Sequence, residues 1–227
     1  MNGHRPGFLA MLGCVARACR DMAVPRDEIP ILVGGGVVEW DTGSAVCSGD
    51  LDFVAPSLER FAAALVGNGL VRGDGLSMRT GSFIHPTLPF GVEVVSGSYF
   101  DGHGDRNRIR DLDMGGALVR LAATEDMIAD RTGQWVAGDM RAPDRMLQAV
   151  LLLGACPGLD ETYLDARLRQ DTLGTVDLAG LRGLAATPSI QARIGDLAQL
   201  VNQGGARSPS KGMLLESLRD LHPPGAA

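Results

Sequence analysis

The hydrophobic pattern of this chain changes character near residue 123, from one that mixes strands and helices to one of helices alone, and that change limits the folds open to it. Before it, short apolar runs stand between Gly, Pro and Asp breaks: "ILV" at 31–33, "LDFV" at 51–54, then runs at 70–72, 76–84, 91–95 and 117–122. Runs of this length with such borders predict strands. After it, "TEDMIADRTGQWVAG", "APDRMLQAVLLLGAC", "DETYLDARLRQDTL", "DLAGLRGLAA" and "SIQARIGDLAQLVNQ" each carry helical spacing, with Glu125 and Asp126 in a helix's first turn behind Thr124 as cap. The expected fold class is α+β: a mixed β-sheet with flanking helices over 1–123, a helical region over 124–203 packed on it, and a partly loose C-terminal tail over 204–227.

Helices are also expected inside the first part. Phe8, Met11, Leu12, Val15, Cys19 and Met22 fall on one stripe of an N-terminal helix. "LERFAAALVGNGL" predicts another, with Ser57 as its cap. Gly34 to Gly36 read as a tight turn after the first strand, and "VVEW" as the start of a helix that Gly43 ends.

Aromatic residues make up 4% of the chain and hydrophobic residues 45%, so the core must be built mainly of Leu, Val, Ala and Ile. The formal charge of -6 gives no general attraction to nucleic acid, although it leaves room for a local basic patch. Cys14, Cys19, Cys47 and Cys156 match no zinc spacing. Arg17, Arg20 and Asp21 interrupt the apolar N-terminus, and no apolar run reaches membrane-spanning length. The chain reads as cytoplasmic, with no membrane partner.

Within the strands, the acids stand out. Asp50 and Asp52 are two residues apart and lead into an apolar strand. Alternate strand residues share a face, so both carboxylates can reach one group of divalent ions while Leu51 and Phe53 face the core. Glu93 sits among Val92, Val94 and Val95, where an acid either faces water on an edge strand or joins the aspartates. Gly34, Gly35 and Gly36 are either a plain turn or a place where backbone N–H groups meet an anion. They fit neither GxGxxG, because Glu39 stands at the last position, nor a P-loop, because no GK[ST] follows.

Together these elements resemble the nucleotidyltransferase superfamily of the polymerase-beta type, in particular the minimal-nucleotidyltransferase-like proteins grouped with the AbiEii toxin family. The residues that carry the likeness are Val33-Gly34-Gly35, then Asp50-Leu51-Asp52-Phe53, then Glu93 in "VEV", with "VRLAATEDMIADR" at 119–131 beyond them. The spacer before Asp50 is slightly long and lacks the basic residue that many relatives carry there.

The resemblance implies a nucleotidyltransferase-like sheet and transfer of a nucleoside monophosphate from a nucleoside triphosphate to an acceptor hydroxyl, releasing pyrophosphate. Asp50, Asp52 and Glu93 would be catalytic and hold two Mg²⁺ ions. Gly34, Gly35, Gly36, Ser48, Arg79 and Arg131 would contact the nucleotide. The acceptor could be tRNA, a protein or a small molecule, and the helical region could serve a homodimer or a partner protein. Two other readings use the same residues: a catalytically silent binding module, in a toxin–antitoxin-like pair, or a magnesium-dependent phosphohydrolase. His85, before Pro86, reads as a structural hydrogen-bonding residue, and Asp101, His103 and Asp105 in "DGHGDR" as a solvent turn.

Overall fold

A computed structural model describes residues 3–73, 81–138, 140–141 and 143–202. Arg79, the expected strand residues 76–80 and the tail from 204 lie outside the described residues. The chain divides into two compact units, Met1–Ala123 and Thr124–Ala227.

The first unit is an α+β layer structure. Its helices are α1 (Pro6–Asp21), α2 (Gly34–Asp41) and α3 (Leu58–Gly67). Its strands are β1 (Ile31–Val33), β2 (Asp50–Val54), β3 (Val71–Arg72), β4 (Ser82–Ile84), β5 (Gly91–Ser96), β6 (Arg110–Asp113) and β7 (Leu118–Leu121). They form one mixed sheet in the order β3-β4-β5-β2-β1-β7-β6. β1 runs parallel to β7 and β2 parallel to β5, and the other neighbours are antiparallel.

Strand alternation divides the sheet into two faces. Leu32 pairs with Phe53 and Leu121, Leu51 with Val92, and Phe53 with Val94, so these apolar residues share one face. The helices lie against it: the Phe53 ring meets Phe61 of α3 at 5.3 Å between centroids, and Gly36 of α2 sits so close to Leu32 and Leu51 that a Cβ there would meet both at 3.0 Å. α1 packs on α3 and β7. Phe8, Phe53, Phe61 and Phe83 are fully buried, each such ring contributing about 2–3 kcal/mol of burial. The opposite face carries Asp50, Asp52, Gly91 and Glu93, and further along Ile31 and Arg120.

Three local expectations change. The three glycines are not a turn before a helix but its opening residues: α2 starts at Gly34, whose φ of +65° is the left-handed conformation that glycine adopts freely. Ser57 occupies the cap position of α3 without a side-chain cap bond, because its hydroxyl donates to Glu28 Oε2 at 3.2 Å. And β6, with the sequence "RDLD", was not expected as a strand. It pairs with β7 at the sheet edge, where charged residues are favoured because they discourage pairing with another chain.

The second unit is helical: α4 (Thr124–Ala137), α5 (Pro143–Ala155), α6 (Glu161–Asp171), α7 (Leu178–Ala185) and α8 (Pro188–Asn202). α4 packs on α5 and α6. Glu125 and Asp126 do more than open α4. Glu125 Oε1 accepts from the Asp160 N–H at the start of α6 at 3.0 Å. Asp126 is fully buried and accepts from Tyr163 Oη at 2.7 Å and Arg167 Nε at 2.8 Å. Arg167 extends the network to both oxygens of Asp171 at 2.9 Å. Among the described residues no helix is long and apolar enough to cross a membrane.

Candidate functional site

Strand pairing brings together the acids that lie far apart in sequence. β2 and β5 are parallel neighbours with Asp52 beside Glu93 and Asp50 beside Gly91, so all three carboxylates rise from one sheet face. Leu51 and Val92 are fully buried on the other side, whereas Asp50 is exposed and Asp52 and Glu93 are half-buried. Among the described residues, no hydrogen bond or ion pair engages the side chain of Asp50 or Glu93. An open cleft of about 330 Å³ lies over this part of the face, lined by Asp50, Ser82, Ile84, Leu88 and Glu93 among others.

Glycines make room for these side chains. A Cβ on Gly34 would fall on the Asp52 carboxylate, one on Gly35 would meet Ser48 Oγ at 2.7 Å, and one on Gly91 would meet Asp50 Oδ1 at 2.8 Å. The first turn of α2 therefore lies directly against Asp52 and Ser48, with the positive end of the helix toward them. Gly36 has a different task, since its missing side chain lets α2 settle on Leu32 and Leu51.

The loop that delivers Asp50 is held by an ion pair between two residues far apart along the chain. Glu39, fully buried in α2, accepts from Arg5 Nε at 2.8 Å, Arg5 Nη2 at 2.7 Å, Ser44 Oγ at 2.9 Å and the Ser48 N–H at 2.6 Å. Arg5 Nη2 also donates to the Ser48 carbonyl at 2.8 Å. Both sides of Ser48 are thus fixed, and its hydroxyl donates onward to the Asp50 carbonyl at 2.5 Å. The hydrogen bond to Glu39 holds the Arg5 guanidinium above its usual pKa. The same guanidinium lies 5.2 Å from the centre of the Phe90 ring, on the strand-entry segment beside Gly91. The loop is thus held by Arg5, the residue before α1. Only the buried position of Glu39, opposite a tertiary neighbour, could have revealed it.

Other residues singled out in the sequence have local partners of their own. Arg131 belongs to the second unit, is 3% exposed, and donates from Nη1 to Gln134 Oε1 at 2.7 Å. Its neighbour Asp130 has its carboxyl pKa pushed up by burial. His85 Nδ1 accepts from the Thr87 and Leu88 N–H groups at 3.2 and 3.1 Å, which folds the turn bordering the cleft. Asp105 caps the Asn107 N–H at 2.9 Å in a short surface turn.

The donor chemistry suits Mg²⁺, which takes hard carboxylate oxygens, and the glycines at 34 and 91 leave the acids the space they occupy. As they stand, no three or more His, Cys, Asp or Glu side chains among the described residues are gathered into a metal-holding group.

No family model matches this sequence, and no curated protein does. Among solved structures it is similar to the crystal structure of JHP933 from Helicobacter pylori, with 15% identity and a TM-score of 0.47 over 96% of this chain and 100% of that one. A likeness that distant bears on neither site nor activity.

Proposed function

We propose that the protein is a metal-dependent nucleotidyltransferase that moves a nucleoside monophosphate from a nucleoside triphosphate to an acceptor hydroxyl. The observation that carries this reading is the register of β2 and β5, which sets Asp50, Asp52 and Glu93 on one face beside the glycine-opened end of α2. The side chains of Asp50 and Glu93, which no hydrogen bond or ion pair engages among the described residues, are costly as structure and useful as ligands.

Asp50, Asp52 and Glu93 would hold two Mg²⁺ ions, which when bound supply charge neutralisation at the reacting phosphoryl oxygens. The α2 N-terminus favours the triphosphate through its backbone N–H groups and the helix dipole, and Ser48, whose own donors go to Glu39 and the Asp50 carbonyl, borders it. The acceptor oxygen forms a bond to the α-phosphorus as the bond to the bridging β-phosphate oxygen breaks, and pyrophosphate leaves. The Glu93 carboxylate takes the proton of the acceptor hydroxyl. The Arg5–Glu39 pair keeps Ser48 and Asp50 in place throughout, so little of the site must be ordered when substrate arrives.

The test is incubation with each α-³²P-labelled nucleoside triphosphate and Mg²⁺, with total RNA and cell extract as sources of acceptor. Wild type should transfer label and D50A/D52A should not, and the labelled product names the acceptor class. Folded wild type that neither transfers label nor binds any triphosphate would leave the silent binding module as the reading to pursue.

A further inference from the structure

On the same sheet face as the acids, but across β1 toward the other edge, two arginines share one carboxylate and a third arginine is held beside them. Arg120 of β7 pairs in register with Ile31 of β1 and Asp111 of β6. Two strand spacings, about 10 Å, separate its strand from β2. Arg120 is 3% exposed; its Nη1 donates to the Arg26 carbonyl at 2.8 Å, and its Nε makes no hydrogen bond, with Asp111 Oδ1 the acid beside it at 3.6 Å. Arg26 reaches Asp111 Oδ2 from Nε at 3.2 Å and from Nη2 at 2.7 Å. Arg106 Nη2 donates to the carbonyl of the next residue, Asp27, at 2.6 Å.

The two consecutive carbonyls of Arg26 and Asp27 therefore bind the guanidiniums of Arg120 and Arg106 close together, while Arg26 shares Asp111 with Arg120. Two cations, Arg26 and Arg120, thus share the Asp111 carboxylate, and a third, Arg106, is held beside them on a backbone carbonyl. Burial first, then the charges of Arg26 and Arg106, hold the Arg120 pKa below its usual value against the opposing pull of Asp111. Backbone acceptors satisfy N–H groups but neutralise no charge, so the surplus persists unless an anion answers it.

We propose that Arg26, Arg106 and Arg120 form an oxyanion site that takes a phosphate group. Arg120 is its buried floor and the exposed Arg26 and Arg106 its rim. The incoming phosphate competes with Asp111 for Arg26 and supplies the acceptor that Arg120 Nε lacks. Arginine suits this task because its planar fork matches phosphate oxygens. The site does not rest on the transferase reading, and its test uses no transfer activity.

The experiment is calorimetric titration of the whole chain at constant ionic strength, first with inorganic phosphate and then with a short 5′-phosphorylated oligoribonucleotide. Saturable binding is expected, weakened at least about tenfold in R26A/R106A, the loss of about 1.4 kcal/mol that removal of charge-assisted bonds produces. Both substituted residues are exposed, so circular dichroism should show the variant folded. D111N, which removes the competing carboxylate, should bind phosphate several-fold more tightly. A tighter oligoribonucleotide than free phosphate identifies a nucleic-acid backbone as the source of the group; equal affinities identify the free ion. Absence of saturable binding in wild type, unchanged affinity in R26A/R106A, or weakened affinity in D111N would each overturn the site.

Discussion

Two sets of carboxylates in this protein differ in company. Glu39 and Asp126 are fully buried and saturated, each with an arginine and further donors at 2.6–2.9 Å. Asp50 and Glu93 stand on strands at the edge of a cleft with no such cation among the described residues. A carboxylate kept for structure must bring its counter-charge with it, because an uncompensated buried charge costs several kcal/mol. A carboxylate left at an open face can keep its lone pairs for a ligand. The contrast, more than the acids' identity, is what supports the proposed site on β2 and β5.

Four measurements bear on that contrast, beginning with the largest effect. Arg167→Ala should cost about 3–5 kcal/mol in urea unfolding, because Asp126 and Asp171 both lose their ion pair with Arg167 inside the second unit. Arg5→Ala should cost less, about 2 kcal/mol, since that side chain is 35% exposed and water can answer part of Glu39. It should also slow any label transfer by loosening Ser48 and Asp50. Equal stability of Arg5→Ala and wild type would remove Glu39 from the saturated class.

Gly34→Ala comes next. Its left-handed φ costs a side chain about 1–2 kcal/mol, and the new Cβ must displace Asp52. Thermal unfolding should show the modest loss, while label transfer should fall far more than stability does. Asp50→Asn and Glu93→Gln complete the series with stability changes within about 0.5 kcal/mol by urea unfolding. Label transfer should nevertheless disappear. A loss above about 1 kcal/mol in either would mean that these acids too are structural, and the distinction would collapse.

Much of the local architecture was legible in the chain. The short apolar runs at 31–33, 51–54 and 91–95 are strands, and the segments from Thr124 onward are helices with bounds close to those read from capping and spacing. The likeness of Asp50 and Asp52 at alternate positions to a shared face also needed only the strand period. The edge strand β6 was missed because "RDLD" carries no apolar run; its pairing with β7 is what makes it a strand. The glycines at 34–36 misled for a related reason. Glycine predicts a turn by local preference, and only the crowding of Asp52, Ser48, Leu32 and Leu51 explains a glycine-opened helix at that place.

What the sequence determined by itself was therefore periodic and local: which segments are strands or helices, and which residues along each share a face. Such properties follow from backbone geometry within a few residues. The tertiary structure decided which strands are neighbours, and with that the meeting of Asp52 with Glu93 and of Arg120 with Asp111. It also decided that Arg5 answers Glu39. Those pairings depend on sheet order and on chain segments tens of residues apart, and no local preference encodes them.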